Sequence, residues 1–303
     1  MVQKRFWVPL CLGWMLGFVG VPQAQQLSPQ GGVAAVRAGQ APTDSDIYCA
    51  GFFTRQPITP NLVVLSSEDG GFKNEYADRD IIYLNKGRQM LSAPGGLYML
   101  VRPVKDVNSK EFFSGQRQLI SQLGTLYAEV GRIQVRIVHE ASATAEILQA
   151  CEPILAGDIA IPFVSKPVPP YRSAKMIDRF APASGKPTGI IVTAKEFQSA
   201  VGEGNIVYLN IGRNQGAQVG GYFRIFRTPL GAEQDPFEQA ADNYATELAG
   251  VPTGRKLTHD ERASLPRKVL GEIILLSVQE ESSTGILTFS REEVFPGDAV
   301  ELE

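Results

Sequence analysis

The chain has 303 residues, 44% hydrophobic and 20% charged, with 29 basic against 32 acidic side chains and a formal net charge of −3. Those proportions exclude a disordered chain and fit an ordinary globular protein of about two domains. The mild acidity argues against a general nucleic-acid binder, which needs a basic face.

Lys4 and Arg5 precede the apolar run Phe6–Val21, and Ala24 offers a small residue for cleavage. This is the layout of a secretory signal peptide over residues 1–24. A retained membrane anchor is the alternative, although Pro9, Gly13, Gly17 and Gly20 interrupt the run and it is short for a span. Cleavage would take Trp7, Trp14 and two of the 29 basic residues, leaving 27 against 32 acidic, a net charge of −5. The expected location is periplasmic or secreted, with no transmembrane segment in the mature chain.

Residues 25–46 are rich in Gln, Gly, Ala, Pro and Ser and read as disordered. Ile47–Ile58 alternates apolar and polar residues and reads as a strand leading into a β module over residues 47–163. Within it, short β-branched or aromatic runs bounded by Gly, Asn, Asp or Pro predict strands at Leu62–Leu65, Ile81–Leu84, Leu97–Arg102 and Ile133–Val138. Another is expected near Thr144–Leu148. Ile133, Val135 and Ile137 should share one face, with Gln134 and Arg136 on the other. Residues 164–188 hold Pro167, Pro169, Pro170, Pro182 and Pro187, the composition of a stiff, extended linker. Its Lys166, Arg172, Lys175, Arg179 and Lys186 read either as a solvated connector or as a docking strip for an anionic partner.

The second module, 189–303, repeats the first. IIYLNKGR at Ile81–Arg88 matches IVYLNIGR at Ile206–Arg213, with six of eight residues identical. Gly95-Gly96 meets Gly220-Gly221 and Arg102 meets Arg227 at the same offset of 125. At an offset of 140, the segment from Gly131 meets that from Gly271, and Gly157-Asp158 meets Gly297-Asp298. Blocks in one order with one change of offset mean one structural unit used twice, the second with a 15-residue insertion. The fold expected is mainly β: two small antiparallel barrels or sandwiches, with a helical insertion over residues 229–268 in the second. Asp235 as N-cap, Pro236, Glu238 and the face Phe237, Ala241, Tyr244 and Leu248 signal that helix. The polar places of the first copy's long strand become Ile274 and Leu276 in the second. That strand must be covered on both faces, by the insertion helix or by the first copy.

Cys49 and Cys151, the pair left after export, are expected to form a disulfide in an oxidising compartment, two buried thiols being the alternative. Catalytic signatures fail in turn. His139-Glu140 lacks a second histidine at Ala143, Gly185-Lys186 is followed by Pro187, and Tyr171 and Lys175 lie in a proline-rich segment without a glycine-rich βαβ unit. No G-x-S-x-G elbow is present. No metal or cofactor is expected. The shared arginines Arg88, Arg213, Arg102 and Arg227, with Lys166, Arg172 and Lys175 of the linker, are the candidate anion-binding residues, the alternative being ion pairs within the domain.

The second copy reads Asn210-x-Gly212, Gly216, Val219-Gly220, a strand to Arg227, Leu270-Gly271-Glu272-Ile273, Ser282-Ser283 and Pro296-Gly297-Asp298-x-Val300. This resembles the C-terminal domain of flagellar basal-body T-ring or H-ring proteins and related β modules of exported envelope proteins. It covers about 100 residues of the second copy and the first more loosely, Met90 and Ala156 replacing Gly216 and Pro296. The resemblance implies a non-catalytic scaffolding, assembly or binding module outside the cytoplasm, with an envelope protein or peptidoglycan as partner. A cell-wall hydrolase and a small-ligand sensor are the other readings.

Overall fold

A computed structural model describes residues 41–106, 110–173, 177–228 and 258–303. The protein is mainly β, and the two copies have one topology. In the second, strands β8 (Thr188–Ala194), β9 (Ile206–Leu209), β10 (Tyr222–Arg227), β11 (Lys268–Val278), β12 (Ser283–Ser290) and β13 (Ala299–Leu302) close a six-stranded barrel in the order β10-β11-β12-β9-β8-β13. The first copy has β2 (Val64–Ser67), β3 (Ile81–Leu84), β4 (Leu97–Val104), β5 (Thr125–Val138), β6 (Ala143–Ala150) and β7 (Ile159–Pro162) in the matching order β2-β3-β6-β5-β4-β7. Here the closing ladder shrinks to the single bridge Val63–Ile159. A further strand, β1 (Phe52–Thr54), pairs with the start of β5.

The bulges repeat too. The β4–β5 ladder shifts between Leu100 and Val101, and the β10–β11 ladder between Ile225 and Phe226, 125 residues on. Bulges bend and twist a strand, which lets so short a sheet curl on itself. The second copy closes, and the first curls, around its own apolar core. Ile82, Leu84, Leu100, Ile133 and Ile147 fill the first, and Val207, Leu209, Phe223, Ile225, Ile273 and Leu287 the second.

Asn85 and Asn210 do the same job: each side-chain oxygen accepts a backbone N–H across the barrel, from Val63 at 2.9 Å and Ile190 at 2.7 Å. The glycine two residues later is needed for space, not for a left-handed backbone: Gly212 has φ −135°. A Cβ there would sit 2.6 Å from the Glu280 carbonyl oxygen, and one at Gly87 would collide with the carbonyl oxygen of His139. Gly157 and Gly297 are left-handed, at φ 96° and 100°, as their turns require.

Several expectations need correction. Ile47–Ile58 is not one strand. Helix α1 (Asp44–Tyr48) takes its first residues, and β1 holds only Phe52–Thr54. The end of the segment expected to be disordered therefore belongs to α1, started by a capping box in which Thr43 N donates to Asp46 Oδ2 at 2.7 Å and Asp46 N to Thr43 Oγ1 at 3.2 Å. A second helix, α2 (Gln116–Leu123), precedes β5, which begins at Thr125 rather than Ile133. Ile137 does not share the inner face: a register shift between Val135 and Ile137 turns it outward. The described part of residues 164–188 is irregular chain laid against both barrels rather than a free spacer. Val269 N donates to Arg179 O at 2.7 Å, and Ile177 and Ala181 pack on Val269. Of the insertion, residues 229–257, with the expected helix at Phe237–Leu248, lie outside the described residues. A short helix α3 (His259–Ala263) precedes β11.

Ile274 and Leu276 are buried as expected, and the first copy supplies the cover. They cluster with Ile47 and Tyr48 of α1 and with Met99, Val101 and Tyr127. The Cys49–Cys151 disulfide, with Cα atoms 5.5 Å apart, ties the residue after α1 to the end of β6. It thereby holds the covering segment on the first barrel. Among the described residues, no helix is long and apolar enough to cross a membrane.

Candidate binding groove between the repeats

The arginines common to both copies split into two kinds. Arg102 donates through Nε and Nη2 to the two carboxylate oxygens of Asp158, both at 2.7 Å, and Arg227 does the same to Asp298, again at 2.7 Å. Asp158 and Asp298 are buried, and each also accepts a backbone N–H at 2.8 Å, from Leu155 and Phe295. The fork fixes the turn ahead of the last strand to the end of the third. The hydrogen bonds to Asp158 raise the Arg102 pKa further against the opposing effect of burial. These two arginines are internal struts.

The linker cations are engaged as well. Lys166 Nζ lies 2.6 and 2.7 Å from the carboxylate oxygens of buried Glu129 and donates to Ile47 O at 2.8 Å. Glu129 also accepts the Gly51 N–H at 3.1 Å. Burial nonetheless outweighs Lys166 and holds the Glu129 pKa above its ordinary value. Arg172 donates to Glu272 at 2.8 Å and to Glu303, and its guanidinium lies over the Tyr222 ring, 4.0 Å from the centroid. Burial, reinforced by Glu303, raises the Glu272 pKa. Lys175 lies outside the described residues.

Arg88 and Arg213 are turned to solvent. Each holds its turn through its backbone, Arg88 N donating to His139 O at 3.1 Å and Arg213 N to Gln279 O at 2.8 Å. The Arg88 side chain stands 3.8 Å from Glu140 on an open surface. His139 is likewise exposed, its Nε2 2.9 Å from Thr144 Oγ1. Arg213 differs because the first copy builds a wall beside it. Thr54, Arg55 and Gln56 from the β1 end, the Gln279–Ser282 hairpin and Arg213 line a groove of about 200 Å³, with Phe53 and Leu123 at its base. Arg55 is held across it, donating to Gln122 O at 2.8 Å and to Glu281 Oε1 at 2.7 Å.

The groove therefore offers an arginine whose only side-chain hydrogen bond among the described residues is to Val278 O at 3.3 Å, a paired Arg55–Glu281, Glu280, and amide and hydroxyl groups over a small apolar floor. Such a set suits a ligand carrying both a carboxylate and hydrogen-bonding amides. Of the sequence candidates, only Arg213 reaches it. Arg55 and Glu281 had no signal in the sequence, because they meet only once the two barrels dock. No protein-family model matches the chain, and no curated protein matches it in sequence.

Proposed function

We propose that the chain is a non-catalytic exported cell-envelope protein, a rigid scaffold or binding module whose inter-repeat groove takes a peptide-bearing partner, either an envelope protein or peptidoglycan. The observation that carries this reading is the division of labour among the cations. Arg102, Arg227, Lys166 and Arg172 are committed to internal carboxylates, while Arg213 opens into a walled groove with acceptors and donors around it. The secretory layout of the N-terminus, the Cys49–Cys151 disulfide and the T-ring-like pattern support a place outside the cytoplasm.

The test is peptidoglycan pelleting alongside affinity capture from envelope extract, using the wild-type chain and Arg213→Glu. Binding to wall material or stoichiometric capture of one envelope protein, weakened about tenfold by the substitution, is expected. Failure of both, or turnover of cell-wall material by the purified protein, would overturn the reading.

A further inference from the structure

The two barrels share a tyrosine, a threonine and a bulge on their outer faces, and among the described residues only the second barrel's set is covered. On the second barrel, a bulge in β8 places Val192 beside Tyr208 of β9, and Tyr208 faces Thr284 of β12. All three are buried. The cover comes from the segment ahead of the first barrel. Phe53 meets the Tyr208 ring edge-on with centroids 5.6 Å apart. The Tyr208 hydroxyl donates to Ala50 O at 2.8 Å, and the Thr284 hydroxyl to Gly51 O at 2.9 Å.

On the first barrel, the β2 bulge places Leu65 beside Tyr83 of β3, and Tyr83 faces Thr144 of β6. The tyrosine, the threonine and the bulge are all repeated, yet among the described residues no segment lies over the tyrosine or the bulge, and the Thr144 hydroxyl meets only His139 Nε2 at 2.9 Å. Leu65 is 52% exposed, Tyr83 36%, and Ile137, the partner of Thr144 on the next strand, 52%. Three large apolar side chains in one row on a sheet face mark a contact surface.

A like segment precedes the second barrel, in a register that sets Phe180 level with Gly51 rather than with Phe53. Just as Phe52 pairs with Tyr127 at the start of β5, the segment ahead of the second barrel runs along the start of β11, with Arg179 O accepting from Val269 N. Its aromatic residue, Phe180, is 57% exposed. Among the described residues, the first barrel thus carries an open apolar face, the socket, and the segment beside the second an exposed aromatic, the plug.

We propose that the chain associates head to tail. The Phe180 segment of one copy seats on the Leu65–Tyr83–Ile137 face of the next, repeating between molecules the contact that Phe53 makes with Tyr208 within one. Such a contact is heterologous and propagates instead of closing a two-fold dimer. It is also weaker than its internal counterpart. The neighbouring positions that are Ile274, Leu276 and Ile286 in the covered face are Gln134, Arg136 and Glu146 in the open one, with Arg136 and Glu146 paired at 2.7 Å. The association is therefore reversible and concentration-dependent.

Sedimentation velocity and light scattering on the full chain, up to about 100 µM, read this directly. The expected result is a mass that grows with concentration past the dimer. Tyr83→Asp and Phe180→Asp, both at exposed positions and checked for an unchanged melting curve, each weaken the association at least ~10-fold. Mixed together, the two variants regain one intact socket and one intact plug, so they form a dimer and stop there. A wild-type chain that stays monomeric overturns the proposal. So does assembly that either variant leaves unchanged, or a variant mixture that fails to dimerise.

Discussion

The substitution Lys166→Met removes the cation from a buried carboxylate and keeps most of its apolar stem. Glu129 is 4% exposed, and its remaining hydrogen-bond partner would be the Gly51 N–H at 3.1 Å, with Lys195 acting on it only through space. Leaving a buried charge uncompensated costs about 3–5 kcal/mol. Lys166 is itself 20% exposed, so water reaches the pair and the low end, about 3 kcal/mol, is expected. For a unit of this size that lowers the midpoint of thermal unfolding by roughly 6–12 °C. The loss depends on pH with a definite sign. Burial already holds the Glu129 pKa above its ordinary value of 4.5, so this group contributes stability below pH 4.5 that is lost as pH rises through its folded value. Without Lys166 the folded value climbs further. The deficit relative to wild type should therefore be largest at pH 8 and shrink towards pH 5, as Glu129 takes up a proton. Urea denaturation of both proteins across that range measures it, and Glu129→Gln in the variant background should recover part of the loss at pH 8. A deficit below about 1 kcal/mol, or one that does not change with pH, would refute the buried-charge argument.

Three further outcomes are expected. Reducing Cys49–Cys151, which closes a loop of 102 residues, should cost about 4–5 kcal/mol in urea denaturation, and equal midpoints with and without reductant would contradict this. Arg227→Met should cost about 3 kcal/mol by removing the guanidinium fork from buried Asp298, whereas Arg213→Glu should stay within roughly 0.5 kcal/mol of wild type and lose groove binding. Parallel melting and pelleting curves separate the two arginines. Gly212→Ala should destabilise by about 2 kcal/mol or more, because its Cβ would lie 2.6 Å from the Glu280 carbonyl oxygen. A melting curve matching wild type would show that the hairpin gives way freely.

The barrels were legible because their repeated residues are those whose backbone roles are local. Asn85 and Asn210 hold the neighbouring strand, Gly157 and Gly297 turn left-handed, and Gly87 and Gly212 clear a carbonyl. Even there, alternation misplaced Ile137, since one added residue in a ladder flips every later side chain to the other face and leaves no mark in a hydrophobic pattern. The α1 helix was hidden by a polar composition, although Thr43 and Asp46 stand at capping-box spacing. The linker departs furthest from its sequence pattern. Lys166 and Arg172 have the look of solvated charge, and their partners Glu129 and Glu272 lie 37 and 100 residues away on strands whose docking no local pattern encodes. The groove was illegible for the same reason, Arg55 and Glu281 being separated by 226 residues.

The charges that fuse the copies are those the copies do not share, and this gives the molecule its direction. Glu129 of the first barrel corresponds to Val269 of the second, and Arg132 to Glu272. Arg132 lies over the rings of Tyr48 and Phe163, 5.3 and 5.4 Å from their centroids, while Glu272 receives Arg172. Each barrel thus fixes its own stretch of irregular chain by different chemistry at matching positions. Exchanging the two stretches would set Arg172 against Arg132 and leave Lys166 facing Val269, a like-charge contact in one place and a cation opposite an apolar side chain in the other. A shared frame alone would allow either barrel to dock on either face. The unshared charges select one order, first barrel over second, and that choice leaves Tyr83 uncovered at one end and Phe180 at the other.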